Sequence, residues 1–309
     1  MAVSRKKKVF AGVTAVLVVG ALACYGVIAL FPEAGLALVR MQYERASGVT
    51  AKSAVVDGYT FPYYEGGIGE PLVMIHGFGD NKISFVQCAK WLAPKYRVIM
   101  PEVPGFGDTA HDEKLDYGTR AQAERFHKFF HQIGLEKFHI AGNSMGGHIT
   151  ASYALLYPED VLSVILLDAS GMKINEDEPY KDSKKPAGAP AEFDAYMDKL
   201  FVKKPPIPAS FKRYFIKQAG INFAWQNRIR ADIRNGPDIY LNDRVATIKA
   251  PTLILWGDKD QLIELAVGEA YHAAIAGSQF VVFKECGHSP QYERPQETAE
   301  AILAFLQKK

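Results

Sequence analysis

Three residue types that together catalyse acyl transfer, a serine, a histidine and an aspartate, each follow a predicted buried strand in this chain. Ser144 lies in the frame Gly142-x-Ser144-x-Gly146. The small residues on either side permit a sharp turn from strand to helix and leave the hydroxyl exposed at its apex. A chance glycine-rich turn would give the same pattern, so partners elsewhere in the chain must decide its meaning.

A serine hydroxyl needs a base to accept its proton and a carboxylate to orient that base. Of the eight histidines, His288 is the predicted base because it follows closely on the last predicted strand, 279–283. Three aspartates follow strands in a similar way, so position alone allows the acid to be Asp168, Asp258 or Asp260. We expect all of these groups at one edge of a sheet.

A glycine turn supplies the second part of the predicted site. The apolar strand 71–75 ends in His76-Gly77-Phe78-Gly79, where backbone N–H groups are exposed near the same sheet edge. The N–H groups of Phe78 and Met145 would together stabilise a negatively charged carbonyl oxygen. A turn that satisfies only its own backbone is the alternative interpretation.

The elements that position these residues alternate along the chain. Predicted strands at 71–75 and 96–100 alternate with predicted helices at 82–93 and 119–133, and a further strand leads into Ser144. This order indicates parallel βαβ units in a doubly wound α/β sheet. Ligands bind at the carboxyl ends of the strands in such sheets.

The alternation stops between residues 172 and 248, where short helical stretches are rich in aromatic residues. We interpret this segment as a helical cap inserted into a core formed by 54–171 and 249–309. Most of its aromatic side chains are expected to pack the cap, and some to line an apolar pocket. The candidate pocket residues are Phe78, Phe193, Phe215 and Trp225.

The N-terminal segment predicts a membrane anchor. Residues 1–8 are basic, and 9–31 contain no charged residue, which is long enough for a helix to cross a bilayer. The basic cluster predicts a cytoplasmic N-terminus, with a linker at 32–53 and the catalytic domain on the other side, the periplasmic face in a bacterium. A secreted protein cleaved after the small residues at 21–23 is the alternative.

Composition narrows the possible partners. The net charge of +2, from 36 basic and 34 acidic residues, gives no reason to expect nucleic acid. The three cysteines have no metal-binding spacing, and we expect buried free thiols at Cys88 and Cys286, with a bridge between them as the alternative. We expect neither a cofactor nor a metal, and the sequence leaves the oligomeric state undetermined.

Five motifs in family order make residues 54–309 resemble an α/β-hydrolase. Within that superfamily, the predicted anchor and aromatic cap are most similar to the membrane-anchored monoacylglycerol lipases and bacterial esterase and lipase relatives. The motifs are His76-Gly77-Phe78, Pro104-Gly105-Phe106-Gly107, Gly142-Asn143-Ser144-Met145-Gly146-Gly147, Trp256-Gly257-Asp258-Lys259-Asp260 and Cys286-Gly287-His288.

The resemblance implies a role for each candidate residue. Ser144 would be the nucleophile, His288 the base and Asp260 the acid, in the family's chain order. Asp168 remains an alternative acid, because some lipases take the acid from that earlier strand. Glu102 stands where the family often has aspartate, and we expect it to affect loop packing.

Three functions are compatible with this frame. The first is hydrolysis of a lipophilic carboxylic ester, such as a monoacylglycerol. The second is carbon–carbon bond hydrolysis of ring-fission products, for which Arg228, Arg230 and Arg234 in the cap would bind substrate carboxylates. The third is a non-catalytic binding protein on the same fold, which an intact triad disfavours.

Overall fold

The computed structural model describes residues 31–175, 179–186 and 188–307. The predicted anchor at 9–31 lies outside these residues except for Phe31. In the described ranges, the helices are all too short or too polar to span a bilayer.

An eight-stranded sheet organises the domain. Its strand order is β1-β2-β4-β3-β5-β6-β7-β8, with β1 and β2 antiparallel at one edge and β3 to β8 mutually parallel. The α/β class predicted from the alternating pattern is confirmed. The strands are β1 (Val49–Val56), β2 (Tyr59–Gly66), β3 (Pro71–Ile75), β4 (Arg97–Pro101), β5 (Phe138–Asn143), β6 (Val161–Leu167), β7 (Thr252–Gly257) and β8 (Gln279–Phe283).

The central strands are buried on both faces because helices cover the sheet from both sides. All six residues of β5 and all six of β7 are buried. Successive side chains point to opposite faces, so Ile140 joins one apolar core and Ala141 joins the other. Continuous apolar runs are the pattern expected of such strands, which is why the sequence located them.

The helices pack in two layers on the sheet, apart from the short turns and the inserted cap. Helices 119–132, 145–156 and 265–274 contribute to one apolar core, and helices 86–92 and 295–306 contribute to the other. The α-helices are Pro32–Ser47, Val86–Leu92, Thr119–Gln132, Met145–Leu156, Pro190–Leu200, Ala209–Ile221, Phe223–Asn235, Leu265–Ala274, Pro290–Glu293 and Pro295–Leu306, with 3-10 turns at Lys82–Phe85 and Val245–Thr247.

The segment predicted as a linker, 32–53, is part of the packed structure. Its helix ends at Gly48, which takes the left-handed conformation with φ 66°, and strand β1 starts at Val49, before the predicted core boundary at residue 54. The Ser47 hydroxyl donates to the Val86 carbonyl at 2.6 Å. The helix is therefore fastened to the core, because tertiary contacts absent from the local pattern hold it there.

The inserted segment contains three helices between β6 and β7, to which the name cap refers below: Pro190–Leu200, Ala209–Ile221 and Phe223–Asn235. Only a few of its side chains are fully buried, among them Ile229 and Ile233 against the core. The cap also reaches the loop after β8, because the His288 N–H donates to the Leu200 carbonyl at 2.8 Å.

Candidate active site

Ser144 occupies a strained turn between β5 and the following helix. Its backbone has φ 57° and ψ −122°, a conformation that non-glycine residues rarely adopt. The turn is held because the Ser144 N–H donates to the Leu167 carbonyl at 2.9 Å. Ser144 is partly exposed whereas 138–143 and 145–154 are buried, so the turn presents this one side chain.

The glycines of the serine motif permit the close packing that the turn requires. A Cβ atom on Gly142 would overlap the Gly146 carbonyl, and one on Gly146 would overlap the carbonyl of Ile75. A Cβ on Gly147 would overlap Ala169. The sequence motif is thus explained by backbone packing at each of its glycines.

His288 and Asp260 lie in direct contact. The Nδ1 atom of His288 is 2.7 Å from Oδ2 of Asp260, and both residues are buried. The other carboxylate oxygen, Oδ1, accepts N–H groups of Leu262 at 2.7 Å and Ile263 at 2.9 Å. Because backbone donors fix this carboxylate, it holds the imidazole with Nδ1 protonated and leaves Nε2 available to accept a proton.

The other two candidate acids make different contacts. Asp258 is paired with Lys284 at 3.7 Å. Asp168 is fully buried beside Asp260, and its Oδ1 accepts the Gly257 N–H at 2.9 Å. Burial and the adjacent Asp260 charge raise the pKa of Asp168 well above its ordinary value, which favours the protonated form of this carboxyl.

A polar bridge that sequence analysis missed connects the serine strand to the histidine loop. The Asn143 side-chain amide donates to the His288 carbonyl at 3.1 Å and to the Leu167 carbonyl at 3.2 Å. Its oxygen accepts from Gln291 Nε2 at 3.0 Å. An asparagine directly before the serine, at the end of a buried strand, was the signal available for it.

The glycine turn after β3 lies beside the serine. A Cβ atom built on Gly77 would be 3.1 Å from the Ser144 Cβ. In the described part of the chain no protein acceptor takes the Phe78 N–H. Met145 is the first residue of its helix, so its N–H has no intrahelical partner either. Both predicted oxyanion donors therefore remain available to a ligand.

Buried polar and charged side chains pack around this glycine turn. Glu102 is fully buried and accepts from the Lys82 N–H at 2.9 Å and from the Lys82 ammonium at 3.0 Å. His76 Nε2 lies 2.9 Å from the Val103 N–H, and Nδ1 lies 2.8 Å from the Gly77 carbonyl. The expectation that Glu102 acts in loop packing agrees with these contacts.

His148 is a buried structural residue. Its Nε2 lies 2.7 Å from the Asp238 carbonyl, to which it donates. Burial lowers the pKa of His148 to about 4, so it is neutral at physiological pH. His148 is therefore not a candidate for the catalytic base.

The four predicted pocket aromatics lie in three different places. Trp225 is engaged by the core, because its indole N–H donates to the Gly105 carbonyl at 2.8 Å and its ring stacks on His111. Phe193 and Phe215 stack on each other within the cap, with centroids 6.2 Å apart. Phe78 is partly buried on the oxyanion turn.

The three cap arginines also differ in their surroundings. The Arg230 guanidinium lies 4.5 Å from the centre of the Phe78 ring, next to the glycine turn. Arg228 donates to Asp232 and to the Leu115 carbonyl. Arg234 pairs with Asp182 at 2.7 Å. Arg230 thus contacts Phe78, one of the predicted oxyanion-turn residues.

The strained serine turn, the histidine–aspartate pair and the glycine turn share the carboxyl edge of one parallel sheet. Residues 72–301 match the alpha/beta hydrolase family, so the chain belongs to it. This membership confirms the resemblance drawn from the motifs.

The chain is similar to proteins described as lipases. It is 34% identical over 276 residues to Lipase 1 of Psychrobacter immobilis, covering 86% of this chain and 87% of the relative. It is 28% identical over 296 residues to mouse monoacylglycerol lipase ABHD6, covering 90% and 88%. A solved structure described as a bacterial membrane phospholipase A matches with a TM-score of 0.84 and 36% identity, covering 97% and 98%.

Proposed function

We propose that this chain is a serine hydrolase of lipophilic carboxylic esters, with Ser144, His288 and Asp260 as its triad. The contact of 2.7 Å between His288 and Asp260, on the same sheet edge as the strained Ser144, carries the proposal. Ester hydrolysis is the activity of the lipase relatives, and the chain is a carboxylic ester hydrolase. Monoacylglycerols are the specific substrate class that we propose.

The proposed reaction has two halves, the acylation of Ser144 and the hydrolysis of the acyl-enzyme. Ser144 attacks the ester carbonyl while His288 Nε2 accepts the hydroxyl proton, and the N–H groups of Phe78 and Met145 stabilise the oxyanion. The protonated imidazole then gives its proton to the departing alcohol, which leaves an acyl-enzyme. Water, deprotonated by His288, then attacks the acyl-enzyme carbonyl, and the imidazolium returns the proton to Ser144 Oγ as the carboxylic acid leaves.

Asp168 has a positioning role in this proposal. A protonated Asp168 can donate a hydrogen bond to Asp260 while the Gly257 N–H fixes its own carbonyl oxygen. This arrangement would keep the negative charge on Asp260, next to the imidazolium that forms during the reaction. Asp168 would thus act through Asp260 without touching the substrate.

Two features of the chain itself support a lipophilic substrate, in addition to the similarity to lipases. The apolar segment 9–31 would tether the domain to a membrane, where acyl esters concentrate. Phe78 presents a partly buried aromatic ring at the oxyanion turn. We propose a single-pass protein with its catalytic domain on the non-cytoplasmic side.

Hydrolysis of p-nitrophenyl esters and monoacylglycerols by the full chain in detergent micelles tests the proposal. Ser144→Ala should lower kcat by about 10⁴-fold or more and abolish fluorophosphonate labelling. Ser53→Ala, on an exposed position of β1, is the matched control and should leave both unchanged. Retention of most activity in Ser144→Ala would overturn the triad.

Arg230 is the observation that favours carbon–carbon bond hydrolysis as the second candidate. Its guanidinium lies beside the glycine turn, where it could bind a substrate carboxylate. Arg230→Gln should then abolish turnover of ring-fission products while leaving ester turnover intact. If the wild type hydrolyses only esters, this second candidate fails.

A further inference from the structure

A cluster of metal-ligating side chains lies on the side of the domain away from the serine. It consists of His127, His131 and Asp160, whose ligand atoms all lie within 4.8 Å of one another. Asp160 directly precedes β6, whereas Asp168 follows its other end. A strand of this length separates the cluster from the active site by about 20 Å. The proposed hydrolysis does not use these residues.

We propose that His127, His131 and Asp160 bind a divalent transition-metal ion, with Zn²⁺ as the best fit. His127 and His131 are four residues apart on the helix Thr119–Gln132, so both imidazoles project from one face. Two imidazoles and one carboxylate are the ligand set that zinc takes in open tetrahedral sites.

The distances fit that coordination. His127 Nδ1 lies 3.0 Å from Asp160 Oδ2, and His131 Nε2 lies 3.3 Å from the same oxygen. Ligands bound at about 2.0 to 2.1 Å in a tetrahedron lie about 3.3 Å apart. An ion could therefore sit among the three atoms after small side-chain movements.

The ligands are held by neighbouring groups before any ion binds. Asp160 is buried, and its Oδ2 accepts the Tyr153 hydroxyl at 2.7 Å. Its backbone carbonyl accepts the Phe138 N–H at 2.9 Å. The His127 ring stacks on Tyr157 with centroids 3.7 Å apart. Such outer contacts orient metal ligands in known sites.

Solvent access leaves room for a fourth ligand. The His131 side chain is 45% exposed, whereas that of Asp160 is 6% exposed. Water can complete the coordination from the exposed side. The ion would link the helix Thr119–Gln132 to the turn before β6. Without an ion, contacts of both histidines with one carboxylate oxygen, Oδ2 of Asp160, join these two elements.

Zinc titration of the chelator-treated full chain in detergent micelles, followed by calorimetry and thermal unfolding, tests this site. At pH 7.5 we expect one saturable Zn²⁺ site and a rise of about 5 °C or more in Tm at a hundredfold excess over Kd. Binding should weaken at least tenfold at pH 5.5, because imidazoles must be neutral to ligate. Mg²⁺ should not reproduce it.

Variants distinguish binding at this site from binding at other histidines of the chain. His131→Asn, on the exposed side, should weaken Zn²⁺ binding at least tenfold, and His272→Asn should not change it. His288→Asn tests binding at the second cluster of ligating residues, Asp168, Asp260 and His288, and should also leave the site intact. Zn²⁺ binding unaltered by His131→Asn, or no saturable binding in the wild type, would overturn the proposal.

Discussion

The side chain of Asn143 donates a hydrogen bond to the backbone carbonyl of His288 at 3.1 Å. The residue before the proposed nucleophile therefore fixes the loop that carries the proposed base, across 145 positions of sequence. This contact couples two elements whose relative position sets the distance between the serine hydroxyl and the imidazole. The proposed chemistry depends on that distance.

Asn143→Ala should lower kcat by about 10- to 100-fold with a smaller change in KM, because displacement of His288 by about 1 Å impairs proton transfer. Steady-state kinetics on p-nitrophenyl esters would measure this change. Asn235→Ala, at an exposed position of the cap, is the control and should show wild-type constants. A wild-type kcat in Asn143→Ala would show that the bridge does not position the base.

The two buried aspartates can be separated by isosteric substitution. Asp260→Asn should lower kcat by about 10⁴-fold, because the amide cannot orient and stabilise the imidazolium as the carboxylate does. Asp168→Asn should retain kcat within about threefold, since its amide can still donate to Asp260. Measuring kcat of both variants identifies the acid of the triad. A larger loss of kcat in Asp168→Asn than in Asp260→Asn would assign that role to Asp168.

The lowered pKa of His148 predicts that the folded protein loses stability in acid. Its pKa of about 4 in the folded protein lies below the value near 6.5 expected on unfolding, so the unfolded chain binds the proton first. The free energy of unfolding should fall by about 3 kcal/mol from this group as the pH falls from 6.5 to 4. Urea unfolding of wild type and His148→Gln should show a smaller decrease in the variant, and parallel curves would contradict the prediction.

The buried pair of Lys82 and Glu102 predicts a large effect of removing one charge. Lys82→Met leaves the fully buried Glu102 without its cation, and we expect a loss of about 3 to 5 kcal/mol in the free energy of unfolding. Lys128→Met removes an exposed pair with Asp57 and should cost much less, because solvent screens that pair. Equal losses in the two variants would contradict a special role for the buried pair.

Two glycine substitutions test the packing of the serine turn. Gly146→Ala places a methyl group against the Ile75 carbonyl and should cost about 1 to 3 kcal/mol. Gly220→Ala, in a cap helix with open space around the new atom, should stabilise by about 0.5 to 1 kcal/mol. Thermal unfolding measures both, and a neutral Gly146→Ala would refute the packing argument.

Sequence alone determined the features that depend on local pattern. Continuous apolar runs located the buried strands, and the spacing of glycines around Ser144 indicated a tight turn. These signals are local because the period of a strand and the sterics of a turn involve only neighbouring residues. The order of the motifs then predicted the family that the match over residues 72–301 confirms.

Only the tertiary structure distinguished groups that local pattern left equivalent. Asp168, Asp258 and Asp260 all follow strands, yet of these three it is Asp260 that hydrogen-bonds to His288 Nδ1, because the loop after β7 turns its carboxylate toward the loop after β8. Long-range packing also brought Asn143 to the His288 loop. It likewise brought Asp160, in the turn before β6, to two histidines of the helix Thr119–Gln132, where the sequence had suggested no metal. Such contacts join residues far apart in the chain, so no periodicity encodes them.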